Sequence, residues 1–314
     1  MKILVTDGLE SDALAALQKT HDVHVEELDA KRILDAIVPY HALIVRSRTK
    51  VTKDVLDQAK NLKVVGRAGV GVDNIDVAAA TARKIAVVNA PNASTISVAE
   101  LAIGHMISLF RHLPEADRSI KDGKWDKKKL EGRELHGKTL GLLGSGRIGA
   151  EVAKRAQAFG MDVIAYDPYL APQVANSIGV RLVDRETLFR QTDVLSVHAA
   201  LTPETKGLVG PAEFALMKST AVLVNCARGE IIQEAALAEA LRRGTISGAA
   251  IDVFEREPPA GSPLLSAPNV VFTPHLAAST QEAQARAGAI IVGQVIKVLD
   301  GKRPEFLVNP EIYN

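Results

Sequence analysis

Thr139-Leu140-Gly141-Leu142-Leu143-Gly144-Ser145-Gly146-Arg147-Ile148-Gly149 joins a short apolar run to three glycines spaced G-x-G-x-x-G, and a helical pattern follows through Ala158. Each glycine has its own task. Gly144 allows a tight turn, Gly146 lets the backbone approach a pyrophosphate, and Gly149 lets helix and strand pack closely. The helix that begins here offers unpaired N–H groups and the positive end of its dipole to phosphates. The next apolar run, Val163-Ile164-Ala165-Tyr166, ends on Asp167, an acceptor for ribose hydroxyls. A preceding strand, a following helix and this acid turn an otherwise weak glycine string into a dinucleotide fingerprint. Asp167 would repel a 2′-phosphate and Pro168 after it brings no arginine, so the expected cofactor is NAD and not NADP.

Outward from this stretch the same alternation continues. Residues 162–166, 194–197, 221–225, 247–252 and 270–273 read as strands separated mostly by helical patterns, the layout of a doubly wound parallel sheet. Upstream, residues 2–7, 42–46, 63–67 and 85–88 read as strands, with helices near 11–19, 52–60 and 75–83 between them. That is a second βαβ series and hence a second parallel sheet. A longer helix is expected from Ser97, taken as its N-cap with Glu100 three residues on, and with an apolar stripe through Leu101, His105, Ile107 and Leu109. Between Lys121 and Glu134 the chain turns basic and polar and carries Trp125, its single tryptophan, which reads as a solvated loop. A final helix runs from about Ser279 to Leu299, before Gly301 and Pro304.

Composition narrows the function classes. The 314 residues are 47% hydrophobic and 24% charged, enough for two globular domains with ordinary cores. Lys plus Arg (38) balance Asp plus Glu (37), so no net field draws the chain to nucleic acid or an anionic membrane, and an anionic ligand must be held by local charge. No apolar run is long enough to span a bilayer, and Met1-Lys2-Ile3-Leu4-Val5-Thr6-Asp7 already reads as a strand and not as a signal sequence, which makes the cytoplasm the expected compartment. The single cysteine, Cys226, excludes an internal disulfide framework and reads as a small buried hydrophobe. The eight histidines show no metal-ligand spacing, so no metal is expected.

Three later segments fall at strand ends of the fingerprint sheet, where ligands of open α/β sheets bind. They are Val224-Asn225-Cys226-Ala227-Arg228-Gly229, Ala250-Ile251-Asp252-Val253-Phe254-Glu255-Arg256-Glu257-Pro258, and Thr273-Pro274-His275-Leu276-Ala277-Ala278-Ser279-Thr280. Hydride removal from an alcohol carbon needs a base for the hydroxyl proton, a cation for carboxylate and carbonyl, and a group that sets the base's pKa. His275, Arg228 and Glu257 are of those types. Singly they read as a loop histidine, a surface arginine and a turn carboxylate. Their joint position behind a dinucleotide fingerprint is what separates them from those readings.

These segments resemble the D-isomer-specific 2-hydroxyacid dehydrogenases. The resemblance extends through Val45-Arg46-Ser47-Arg48-Thr49-Lys50-Val51-Thr52, Val65-Gly66-Arg67-Ala68-Gly69-Val70-Gly71-Val72-Asp73-Asn74 and Gly123-Lys124-Trp125, and so over almost the whole chain. It implies two Rossmann-like or flavodoxin-like domains, the cofactor domain (97–290) inserted into a substrate domain (1–96 and 291–314). It also implies that Arg228 binds and polarises substrate, that His275 exchanges the proton, and that Glu257 stabilises the imidazolium. Cofactor contacts are implied for Val70, Gly144, Gly146, Arg147, Ile148, Gly149, Asp167, His198, Cys226, Ala227, Arg228, Asp252, His275 and Ala278. Substrate contacts are implied for Arg46, Ser47, Arg48, Arg67, Gly69, Arg228 and His275.

Within the family, similarity is greatest to members that oxidise 3-phosphoglycerate, the first step of phosphorylated serine biosynthesis. Arginines at 46, 48 and 67 suit a phosphate, because each planar guanidinium donates parallel hydrogen bonds and keeps its charge. The alternatives are a glyoxylate or hydroxypyruvate reductase with the same triad, and a non-catalytic NAD(H)-sensing corepressor. Two departures stand out: Ala199 where relatives often carry Thr, and Ser94 where many carry Asn. No regulatory serine-binding domain is expected after the last helix. By resemblance the helix from Ser97 and the Trp125 loop pack against a twin subunit, giving a homodimer or homotetramer.

Overall fold

Runs of β-branched and aliphatic residues become strands wherever both faces can be covered. In the computed structural model, which describes residues 1–313, the chain begins β1 (Lys2–Val5), α1 (Ser11–Gln18), β2 (Asp22–Val25), α2 (Arg32–Ala36), β3 (Ala42–Val45), α3 (Lys53–Gln58), β4 (Val64–Arg67), α4 (Val77–Ala82) and β5 (Ala86–Val88). It continues with α5 (Thr95–Arg111), α6 (Leu113–Lys121), β6 (Thr139–Leu143), α7 (Arg147–Ala158), β7 (Asp162–Tyr166), α8 (Pro172–Ser177), β8 (Arg181–Leu182), α9 (Arg185–Gln191) and β9 (Val194–Val197). The last elements are α10 (Pro211–Leu216), β10 (Val222–Asn225), α11 (Glu234–Arg242), β11 (Gly248–Ile251), β12 (Val270–Phe272) and α12 (Gln281–Leu299).

Two units result. The first comprises Met1–Ser94 and the chain from Ala278 onward, the second Thr95–Ala277. In the first, five parallel strands run in the order β2-β1-β3-β4-β5. Alternate side chains serve opposite faces. Ile3, Val5, Ala42, Ile44 and Val64 pack with Ile291 and Val295 of α12, whereas Leu4, Leu43, Val45 and Val65 pack with Ile33, Leu56 and Ala80. In the second, seven parallel strands run β12-β11-β10-β9-β6-β7-β8. The strand order reverses between β6 and β9, which opens a crevice at their C-terminal ends.

Several expectations need correction. Ser97 does not cap α5; the helix starts at Thr95 and Ser97 is buried inside its first turn. Its buried face is Val98, Ala99, Ala102, Ile103, Met106 and Phe110 with His105, while Leu101, Ile107 and Leu109 are only partly covered. The stripe expected from large residues missed the small ones, Ala99 and Ala102, which share a core cluster with Val152, Ala153 and Ala156 of α7. Three short elements, β2, α2 and β8, were not anticipated. β2 is an edge strand whose residues are half-buried or exposed, so it lacks the apolar run that marks the central strands. The expected second boundary near Ile290 falls inside α12, which is continuous from Gln281 and capped by the Thr280 hydroxyl on the Ala283 N–H at 3.1 Å. Trp125 lies outside regular structure and is exposed.

Helix α12 packs closely on the first sheet at Gly66, where a Cβ would stand 2.8 Å from Val295 Cγ2 and 3.0 Å from Ile291 Cγ1. Gly66→Ala should therefore overpack this seam and cost about 1–3 kcal/mol. Urea unfolding checks it, the expected outcome being a lower midpoint than that of the native chain.

Candidate active site

The glycine loop is built as its sequence requires. Gly144 takes φ +87, and a Cβ there would meet the Ala199 backbone N at 2.7 Å, so only glycine lets β6 and β9 part at this distance. A Cβ on Gly149 would stand 2.8 Å from the Gly144 carbonyl oxygen, which is the close helix–strand packing expected of the third glycine. At Gly146, the N-cap of α7, nothing lies within 4 Å of that position, and Arg147 and Ile148 follow in the first helical turn. Asp167, at the end of β7, accepts the Ser145 N–H at 2.8 Å and the Tyr169 N–H at 3.0 Å.

Two buried polar atoms beside this loop, Ser145 Oγ and His198 Nδ1, lack a protein partner. The other ring nitrogen of His198 lies 2.8 Å from Ser196 Oγ, and burial pushes its imidazole down to about 4, so it is neutral. An open cradle at a helix N-terminus, an acid at the next strand end and orphaned polar atoms at the crevice fit a dinucleotide.

The chemistry-bearing side chains stand at the neighbouring strand ends. After β10 the buried Asn225 side chain folds back on its own loop, accepting the Ala227 N–H and donating to the Arg228 carbonyl, both at 3.0 Å. This fixes the backbone under Arg228, whose Nη1 donates to the Ala227 carbonyl at 2.7 Å. Gly229 presses this loop against the one after β11. A Cβ there would overlap the Phe254 carbonyl, so no side chain fits. Glu257, on that second loop, accepts the Phe254 N–H at 3.2 Å with Oε1 and faces His275 Nδ1 at 2.9 Å with Oε2. Sequence reasoning singled out neither Gly229 nor Asn225. A glycine and an amide in the first positions after an apolar strand were the available signals.

His275 sits in the left-handed region at φ +53. Fully buried Asp252 holds it there: its carbonyl accepts the His275 N–H at 2.8 Å, and its carboxylate accepts the N–H groups of Leu276 (2.7 Å) and Ala277 (3.0 Å). The hydrogen bond to Glu257 raises the His275 pKa, partial burial opposes it, the charges of Glu257 and Asp252 add, and Arg228 subtracts; the net lies above the ordinary imidazole value. Burial pushes the Glu257 carboxyl up, but the hydrogen bond and charge of His275, the Phe254 N–H and Arg228 outweigh it, leaving the carboxyl below its ordinary range. Cys226 is buried, and burial followed by the Asp252 charge pushes its thiol far up, so it stays protonated and unreactive.

The remaining expected contacts lie in the first unit. The Arg46 N–H donates to Asp7 at 2.8 Å and its carbonyl accepts from Asn74 at 2.9 Å, which pins the loop after β3 with exposed Ser47 at its tip. Arg67 lays its guanidinium over Gly69, where it occupies the space of the missing side chain. The Val70 carbonyl accepts from Asn89 at 2.6 Å, and the Ala278 carbonyl from Gln284 at 2.8 Å. The Arg67 Nη1 donates to the Ala68 carbonyl at 3.4 Å. The Arg48 guanidinium donates to Glu27 and to the Thr6 carbonyl, both at 2.8 Å, and lies 3.4 Å from Asp7. Among the described residues, no group of His, Cys, Asp and Glu is arranged to hold a metal ion.

Residues 103–277 match the family model of the D-isomer specific 2-hydroxyacid dehydrogenase, NAD binding domain. The TT0316 protein from Thermus thermophilus has the same fold, with 36% identity and a TM-score of 0.91 over 98% of this chain and 100% of that one. This chain belongs to the D-isomer-specific 2-hydroxyacid dehydrogenases. It is also 53% identical over 311 residues to the D-3-phosphoglycerate dehydrogenase of Methanocaldococcus jannaschii, covering 98% of this chain and 59% of that enzyme. The Bacillus subtilis enzyme of the same name is 45% identical over 300 residues, 96% of this chain and 57% of that one. The chain thus spans a little over half the length of these relatives.

Glu257→Gln keeps the shape of the pair and removes its negative charge, so the His275 imidazole should titrate at lower pH than in the native chain. An NMR titration of the ring protons measures this. An unmoved midpoint would show that Glu257 does not set the imidazole's pKa.

Proposed function

We propose that this chain oxidises D-3-phosphoglycerate to its 2-keto acid with NAD, and that His275 is the acid–base group. The observation that carries this reading is the 2.9 Å contact between His275 Nδ1 and Glu257. In the neutral ring Nδ1–H donates to the carboxylate, which leaves the Nε2 lone pair to take the substrate's hydroxyl proton. Glu257 then stabilises the imidazolium that forms. Arg228 takes the substrate carboxylate and, in the reverse direction, polarises the carbonyl. Gly144, Gly146, Arg147, Ile148, Gly149 and Asp167 hold the cofactor, with support from His198, Ala227 and Asp252. When bound, NAD supplies the acceptor for the hydride of the carbinol carbon. Oxidation requires neutral His275, so its rate rises with pH through the raised imidazole pKa, and reduction shows the opposite limb.

In this reading Arg46, Arg48 and Arg67 are the residues that meet the phosphate; the Arg48 guanidinium also donates to Glu27 and to the Thr6 carbonyl, and that of Arg67 to the Ala68 carbonyl. The names of the relatives support this substrate over an unphosphorylated acid. Steady-state kinetics with phosphorylated and unphosphorylated acids and both dinucleotides test it. His275→Ala should cost about 10²- to 10⁴-fold in kcat. Arg67→Ala should weaken the phosphorylated substrate by about 10- to 150-fold, chiefly in KM, because one charge-assisted hydrogen bond contributes roughly 1.5–3 kcal/mol. Equal efficiency with hydroxypyruvate or glyoxylate would replace this reading by a reductase, and equal efficiency with NADP would remove the role given to Asp167.

We also read the protein as a cytoplasmic homodimer or homotetramer. Most of the apolar face of α5 is covered within its own unit, so the argument rests on Leu113 and Ile120 of α6 and on Trp125, which are 48%, 57% and 82% exposed. Among the described residues no helix is long and apolar enough to cross a membrane. Light scattering should give at least twice the 33.5 kDa of one chain, and a mass of one chain at micromolar concentration would refute the assembly.

A further inference from the structure

Behind the His275 loop runs a line of polar groups that the acid–base reading leaves unused. His105 lies on the buried face of α5, only 3% exposed, with Nε2 3.1 Å from Thr273 Oγ1. Thr273 directs its own proton to Asp252 Oδ1 at 2.5 Å. Its oxygen is then left to accept, and the donor is the N–H at His105 Nε2. Burial lowers the His105 pKa against the opposing pull of Asp252, which agrees with a neutral ring. Asp252 stands at the end of this line and holds three consecutive backbone N–H groups, those of His275, Leu276 and Ala277.

We propose that His105 is a positioning residue, which fixes the Asp252 carboxylate through Thr273 and, through Asp252, keeps the His275 imidazole in register with Glu257. The inference rests on the acid–base reading of His275. Its physical content is an orientation. A carboxylate with two oxygens can rotate among its donors, and the Thr273 hydroxyl, itself oriented by His105, selects the rotamer in which one oxygen faces Leu276 and the other Ala277. A histidine that only filled space on α5 could be exchanged for leucine without consequence for an imidazole on another element.

The experiment uses the intact chain with His105→Leu, His105→Gln and Thr273→Val. Leu and Val remove the polar link, while Gln keeps a side-chain N–H donor. His105→Leu and Thr273→Val should lower the plateau kcat of oxidation by about ten- to a hundredfold, the cost of a small misplacement of a catalytic group. The acid limb should also move to lower pH, as His275 loses register with Glu257 and Asp252 while Arg228, the facing cation, remains. His105→Gln should restore most of both effects. The inference falls if folded His105→Leu leaves plateau and limb unmoved, if the plateau drops with the limb unmoved, or if Gln is no better than Leu. His275→Ala separates the two readings: if that variant keeps its turnover, the acid–base assignment fails. The NMR titration midpoint of His275 in His105→Leu against His105→Gln then still decides the positioning, since it does not depend on turnover.

Discussion

A parallel sheet buried on both faces can place its chemistry only at the ends of its strands. Each βα crossover lays a helix on one face or the other, and side chains along the strand are consumed by the two cores. All strand pairs here are parallel, so every C-terminal end in a sheet points the same way. In the second unit this one constraint gathers the glycine loop, Asp167, His198, Arg228, Glu257 and His275 on a single edge, although they span more than a hundred residues of sequence. The reversal of order between β6 and β9 decides where along that edge the crevice opens.

Loops at strand ends have lost their ladder partners, and buried polar side chains replace them. Asp252 does this for the chain after β12, Asn225 for the chain after β10, and Asp7 with Asn74 for the chain after β3. Glu234 and Glu255 make a reciprocal pair, each carboxylate accepting the other's backbone N–H, at 3.0 and 2.7 Å, and this fixes the loop that carries Glu257. Such groups are satisfied largely by backbone groups, the carboxylates accepting N–H groups and the Asn74 and Asn225 amides donating to carbonyls. They therefore cost little to bury and fix backbone geometry as firmly as a sheet ladder would.

This explains which features could be read from the sequence. The central strands were legible because burial on both faces requires continuous apolar runs. Arg228, Glu257 and His275 could be singled out because their residue types match a reaction and follow a fingerprint, and the structure adds the 2.9 Å contact between the last two. The edge strands β2 and β8 were not, since a half-solvated strand of a few residues carries no such pattern. The inward phase of α5 was misread because small residues mark close helix packing as surely as large ones mark burial. The pairing of Arg48 with Glu27, and the links from His105 through Thr273 to Asp252, join residues from separate elements. No local pattern encodes them, so they appear only once the strands are assembled.

The left-handed backbone at His275 shows how these devices serve the site. For a residue with a Cβ this conformation costs roughly 1–2 kcal/mol, and it persists only where its surroundings over-determine it. Here the Asp252 carboxylate accepts two successive backbone N–H groups and a hydroxyl, and hydrogen bonds to a charged group contribute about 1.5–3 kcal/mol each. The bonds therefore outweigh the strain. The backbone thus sets the Cα–Cβ direction from which the imidazole projects. Glu257 is left with the narrower task of holding Nδ1 and supplying charge, a division that allows both side chains to remain about half exposed without losing their mutual geometry.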